Sequence, residues 1–250
     1  MKRLFVNLAI LTGVFLCAFV SKDTGEGISI PATSKGDHLI CHLGYCLAYD
    51  EEYKLAKWVA YELTLAETQG TFPRNDKFKP DPLITKNSAS LADYKKSGYD
   101  RGHLAPAADM KWSTEAMVES FYLSNMSPQD KSFNRGIWKK LEEQVREWAI
   151  ENKAVYITTG PILEKGLPTI GPNKIPIPKA FYKVILDYSQ PDIKAIGFII
   201  PNQGSSLPLN TFVFTIDSIE KLTHIDFFTR LPDTIESRLE SETCVNCWNW

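Results

Sequence analysis

Three short apolar runs, residues 154–159, 181–188 and 193–200, constrain the fold of this chain more than any other feature. Each is rich in Val, Ile, Tyr or Phe, has the length of a strand, and is closed within a few residues by glycine or proline. Helical spacing occurs at 55–65, from a Ser113 cap to about Leu123, at 134–151, at 216–222 and at 234–241, although 58–61 also fits an extended segment. Residues 38–50 read as one strand, 71–90 as a surface loop with three prolines, and 127–129 as a turn. Strands and helices are intermixed without a regular βαβ repeat. The expected class is therefore α+β, a mainly antiparallel central sheet with flanking helices.

The ends of the chain carry different information. Lys2 and Arg3 precede an apolar stretch to Val20, and polar sequence follows at once. That layout predicts a cleaved export signal over 1–21 and a secreted or periplasmic protein. Cys17 follows the bulky Phe15 and Leu16, which argues against a lipid anchor, and no stable membrane insertion of the mature chain is expected. A linker at 22–36, one domain at 37–240 and a Cys/Trp-containing tail at 241–250 complete the organisation. Removing Lys2 and Arg3 takes the basic count from 28 to 26 against 30 acidic residues, a net charge of −4. No global basic field points to a polyanionic partner, although a local cationic groove can sit on an acidic protein.

Four cysteines remain beyond the signal, Cys41, Cys46, Cys244 and Cys247, and an exported chain would oxidise them. In an extended strand Cys41 and Cys46 stand ~16 Å apart, out of disulfide reach. Bridges from the strand to the tail are thus favoured unless Gly44 makes a sharp turn. Zinc bound by His38, Cys41, His42 and Cys46 with the tail pair is the alternative, but the usual paired-knuckle spacing is missing.

On a wheel of the 134–151 helix, Ile137, Trp138, Leu141, Val145, Trp148 and Ala149 fall on one arc, with Asn134 near its middle and Glu142 at its edge. A core-facing amide needs partners, and leaving it without them costs ~1–3 kcal/mol. Upstream lie Asp100-Arg101-Gly102-His103 and then Asn125. Together with residues 121–129, 134–142, 58–61, 159–161 and 178–183, this pattern resembles the DNA/RNA non-specific endonuclease family, one of the ββα-metal or His-Me finger nucleases. The resemblance spans roughly 38–239.

The resemblance implies a ββα-metal motif, in which a hairpin bearing Arg101 and His103 packs over the helix bearing Asn134. It also implies hydrolysis of phosphodiester bonds in DNA and RNA. His103 is the expected base, since a neutral imidazole can take a proton from water. Asn134 matches the family's magnesium ligand, with Mn²⁺ as a substitute, and one neutral oxygen suits an ion that keeps most of its water. Arg101 is expected on phosphate, Asn125 in support of phosphate and base, Glu142 on water in the metal's shell, and Arg146 near the transition state. For Glu142 and Arg146 the competing reading is a surface pair at i, i+4. Asp100 is read as fixing the turn, Gly102 as allowing close passage, Asp109 as solvated loop or helix start, and His38, His42 and His224 as structural. Trp248-Asn249-Trp250 is read as packing or a sticky end rather than a base-stacking platform.

No Walker loop, nucleophile elbow, H-E-x-x-H or dinucleotide fingerprint occurs. DNA and RNA are the expected partners, bound mainly through phosphate, and a homodimer stays open. The rival classes are a non-catalytic binding module on the same fold and a phosphodiesterase for small nucleotides.

Overall fold

The structure, a computed structural model, describes residues 30–32 and 37–250. The expected signal and most of the expected linker lie outside the described residues. Among those described, no helix is long and apolar enough to cross a membrane.

Seven strands form one antiparallel sheet in the order β1-β2-β3-β6-β9-β10-β11. These are β1 (His38–Cys41), β2 (Cys46–Asp50), β3 (Leu55–Thr64), β6 (Ala154–Pro161), β9 (Ala180–Asp187), β10 (Lys194–Pro201) and β11 (Val213–Phe214). Two further pairs stand apart: β4 (Asp100–His103) with β5 (Met126–Gln129), and β7 (Thr169–Ile170) with β8 (Ile175–Pro176). The helices are α1 (Leu65–Thr68), α2 (Leu91–Tyr94), α3 (Thr114–Glu119), α4 (Trp138–Glu151), α5 (Ile216–Thr223) and α6 (Asp233–Ser241). The class is α+β, as the mixed pattern implied.

Successive strand side chains point to opposite faces, and β9 shows the consequence. Phe181 and Ile185 join the core beneath α4 with Leu141, Val145 and Trp148, whereas Tyr182, Val184 and Leu186 join the core beneath α5 and α6 with Ile216, Ile219 and Leu239. Burying each of these large side chains contributes ~1.5–3 kcal/mol. The predicted arc of α4 is the buried one, from Ile137 to Ala149. The helix starts irregularly: residues Phe133–Ile137 form a wider turn, Gly136 has non-helical angles, and regular α-helix begins at Trp138.

Four local expectations are corrected. Residues 55–65 are mainly strand β3, not helix. This strand lies between β2 and β6 and is apolar on both faces, so its pattern lacks the simple alternation of a half-buried strand. Thr64 then ends it, accepting from Glu67 N as the cap of α1. Residues 38–50 are a hairpin rather than one strand, turning at 42–45 and placing Cys41 opposite Cys46. The disulfides are therefore Cys41–Cys46 and Cys244–Cys247. The favoured strand-to-tail bridges do not form, and the zinc alternative loses its thiolates. Residues 127–129 belong to strand β5, where Pro128 sits opposite Arg101 in a two-stranded ladder that tolerates its missing N–H. The helix from the Ser113 cap ends at Glu119, followed by a tight turn over Leu123–Asn125. Of the terminal tryptophans, Trp248 is buried and Trp250 is exposed, their rings 4.6 and 5.4 Å from that of Trp148.

Candidate active site

The β4–β5 ladder brings the Asp100-Arg101-Gly102-His103 segment against Met126–Gln129, with His103 opposite Met126 and Gly102 opposite Ser127. Any side chain at position 102 would run into the fully buried Gln129, which explains the glycine. Asp100 does more than shape a turn. Its carboxylate accepts two bonds from Arg135, both at 2.8 Å, and one from Asn134 Nδ2 at 3.0 Å. Burial alone would raise this carboxyl, but the bonds from Arg135 and Asn134 outweigh it and hold it below the usual carboxylate range. The strand bearing His103 is thereby tied to the start of the α4 segment. Because the Asn134 NH₂ is committed to Asp100, its oxygen is the atom left for a cation.

His103 is half-buried. Its ring meets Phe121 edge-on at 4.9 Å and Phe78 at 5.8 Å, and its Nε2 is buried without a hydrogen-bond partner. Burial first, then the charge of Arg74, push the imidazole down to about 3, with Asp76 pulling upward and Arg101 adding the smallest downward push. The Arg101 guanidinium lies 4.2 Å over the Phe78 ring, and among the described residues it has no carboxylate partner. That leaves a cation beside His103 with no protein carboxylate to compensate it.

Asn125 departs from its expected role. It is fully buried, its oxygen accepts from Ala105 N at 2.9 Å, and its NH₂ donates to the carbonyls of Ala105 and Ser120. With every amide group bonded to backbone, it positions the segment after His103 and has nothing left for phosphate.

Glu142 and Arg146 do not form the surface pair. Arg146 Nη1 donates to Asp109 Oδ1 at 2.7 Å, and Tyr61 OH donates to Asp109 Oδ2 at 2.8 Å. Asp109 is only 1% exposed, so reading it as solvated is corrected. Its short turn, Ala107–Met110, is folded inward by partners 48 residues upstream and 37 downstream. Burial raises the Glu142 carboxyl, and Asp109 adds to the rise against Lys183, Arg146 and Arg74. Lys183, on the α4 face of β9, is equally buried, with its Nζ unpartnered 4.8 Å over the Trp138 ring. Sequence reasoning gave neither Asp109, Lys183 nor Arg74 a role. A charge at the Phe181/Ile185 face of an apolar strand was the available signal for Lys183.

A second ionic cluster is centred on His42. His42 Nε2 is 2.9 Å from Asp81 Oδ2 and its Nδ1 is 3.6 Å from Glu119, while Ser124 Oγ donates to Asp81 at 2.6 Å. Burial opposes the imidazolium, but the bonds and charges of Asp81 and Glu119 outweigh it and push His42 up to about 9. His42 is structural, as expected.

The sequence pattern of the DNA/RNA non-specific endonuclease family matches residues 25–234. The chain belongs to that family. Mitochondrial nuclease EXOG of Xenopus laevis is 36% identical over 84% of this chain and 63% of its own length. The human EXOG is 33% identical over 91% and 66%. The chain thus spans under two thirds of these relatives. A chain in the crystal structure of an EndoG/EndoGI complex, solved to explain EndoG inhibition, superposes with a TM-score of 0.76 at 32% identity, covering 82% of this chain and 90% of that one. One expectation about this family member is overturned here: both EXOG relatives are named mitochondrial, so the secreted or periplasmic reading is withdrawn.

Proposed function

We propose that this endonuclease-family chain hydrolyses phosphodiester bonds in both DNA and RNA, with His103 as the general base and Mg²⁺ as the resident metal. The observation that carries the reading is the pairing of a neutral, half-buried imidazole with Arg101, a cation that no protein carboxylate satisfies. An anionic diester supplies the missing partner. Arg101 holds a phosphate oxygen through charge-assisted bonds, and His103 accepts the proton of the attacking water.

The residues present fit a magnesium ion. Asn134 offers one neutral oxygen, with its orientation fixed by Asp100, and an ion that dehydrates reluctantly needs few protein donors. When bound, Mg²⁺ supplies charge neutralisation at the phosphate and the departing 3′ oxygen. Asn125 keeps the backbone beyond His103 in register through Ala105. Glu142 and Arg146 lie further along α4, with Arg146 steadied by Asp109. Contacts mainly to phosphate and sugar carry little base readout, which is the basis for non-specific cleavage.

The test is digestion of supercoiled plasmid and of RNA by the folded protein, with Mg²⁺ or with EDTA. Both polymers are expected to be degraded only with the metal, and less rapidly as salt rises, since phosphate contacts are screened. Folded, metal-supplied protein that binds both polymers but cuts neither would instead support a binding module. Turnover of small chromogenic diesters alone would identify a small-nucleotide enzyme.

A further inference from the structure

Helices α5 and α6 and the segment between them gather five carboxylates beneath the sheet face that α4 does not cover. Oxygens of Asp217, Glu220 and Glu240 lie within 4.8 Å of one another, and so do those of Asp226, Glu236 and Glu240. Glu240 belongs to both groups. It is 8% exposed, and its Oε1 is buried without a hydrogen-bond partner. Glu220 accepts one bond, from Phe227 N at 2.8 Å. Among the described residues, no Lys, Arg or His forms an ion pair with any of the five. Arg238, the basic residue nearest to Glu240 in sequence, donates to the Ile193 carbonyl.

Buried carboxylates are ordinarily paired or hydrogen-bonded. The Oε1 of Glu240, the buried member of this group, is neither, and the surrounding carboxylates repel one another. Burial first, then the charges of Glu220, Glu236, Asp226 and Asp217, push the Glu240 carboxyl up to about 8.

We propose that the α5–α6 carboxylates form a binding site for a calcium-like divalent cation, centred on Glu240 and separate from the Asn134 site. Calcium takes six to eight oxygens at roughly 2.3–2.6 Å, so donors on opposite sides of one ion stand ~4.6–5.2 Å apart. Carboxylate oxygens that lie within 4.8 Å of one another can reach one such ion together. The donor chemistry also separates the two sites. Several anionic oxygens favour a larger ion with a flexible shell, whereas Asn134 presents a single neutral oxygen suited to hydrated magnesium. The bound cation would clamp α5 and α6 together over Ile216, Ile219 and Leu239. Its effect would extend to the N-terminal approach of the chain, because Ala32 N donates to the Asp226 carbonyl at 2.9 Å.

The test is calorimetric titration of CaCl₂ into the full chain carrying Asn134→Ala, which keeps the proposed active-site metal from contributing. Saturable Ca²⁺ binding is expected to persist there and to weaken by on the order of tenfold or more when Glu240→Gln is added. At ~100 times Kd, Ca²⁺ should raise Tm by roughly 5–10 °C over EGTA, and the Glu240→Gln protein should lose that shift. If Glu240→Gln does not fold, Asp217→Asn, at a half-buried position, reads the same loss. Absence of Ca²⁺ binding in Asn134→Ala protein, with identical Tm in Ca²⁺ and EGTA, would overturn the site. So would undiminished Ca²⁺ binding by the Glu240→Gln protein.

Discussion

Replacing His103 with alanine is expected to slow cleavage of DNA and RNA by ~10²–10⁴-fold, the usual loss when a positioned general base is removed. The fold should survive, because the ring is only half-buried and its Nε2 has no hydrogen bond to lose. The pH dependence is the sharper part of the prediction. An ordinary imidazole would lose activity as pH falls through ~6.5. Here burial, Arg74 and Arg101 push His103 down to about 3, so in the free protein it stays neutral through the mildly acidic range. The acid limb of kcat/KM, which reports the free enzyme, should therefore lie well below 6.5.

A diester bound at Arg101 neutralises part of the charge that depresses the ring. That relief gives His103 only a small upward push in the complex, because burial and Arg74 depress it more than Arg101 does. The acid limb of kcat should accordingly sit slightly higher than that of kcat/KM. Imidazole titration by NMR, with and without an inert nucleotide, measures both values directly. Full activity in the His103→Ala protein would remove His103 from the mechanism. A free-protein pKa near 6.5 would leave the base but refute the electrostatic account.

The parts of this site that could be read in the sequence are those whose chemistry lies in short blocks. Asp100-Arg101-Gly102-His103 and the arc of α4 were legible because residue type and local period carry the information. Asn125 was legible as a member of the pattern but not in its role, since its bonds go to Ala105 and Ser120 and backbone destinations leave no trace in spacing. Asp109 was misread for a related reason. A carboxylate in a polar turn looks solvated until Tyr61 and Arg146 arrive from distant elements to bury it. Strand β3 shows the same limit at the level of fold. Only its neighbours β2 and β6, far apart in sequence, make a two-faced apolar strand the favoured state. The hairpin at Cys41–Cys46 turned on whether 42–45 bends sharply, a local question that the sequence posed without deciding.

The second large effect concerns stability. Replacing His42 with alanine or glutamine should cost about 3 kcal/mol near neutral pH, or roughly 6–12 °C in Tm, because it leaves the buried Asp81 and the half-buried Glu119 without their cation. The folded-state value of His42, about 9, lies above the ordinary 6.5. Its contribution is therefore complete below pH ~6.5 and fades as pH rises through about 9, where the folded protein also loses the proton. Asp81 and Glu119 act in the opposite sense. Burial would raise both, yet their bonds to His42, joined at Asp81 by Ser124 and Leu83 N and at Glu119 by Leu43 N, hold both carboxyls low. Their contribution is present at neutral pH and is lost in acid. Denaturant midpoints of wild type and His42→Gln from pH 6 to 10 separate these effects: the gap between the proteins should be widest at the acidic end and close toward pH 10. A gap that stays constant with pH would mean that His42 acts through packing against Tyr45 and Tyr122 rather than through its charge. Activity should follow the same course. Asp81 holds Ser124, Ser124 precedes Asn125, and Asn125 fixes Ala105 two residues beyond His103, so loosening His42 reaches His103 through the side-chain bonds of Ser124 and Asn125 and the backbone between them.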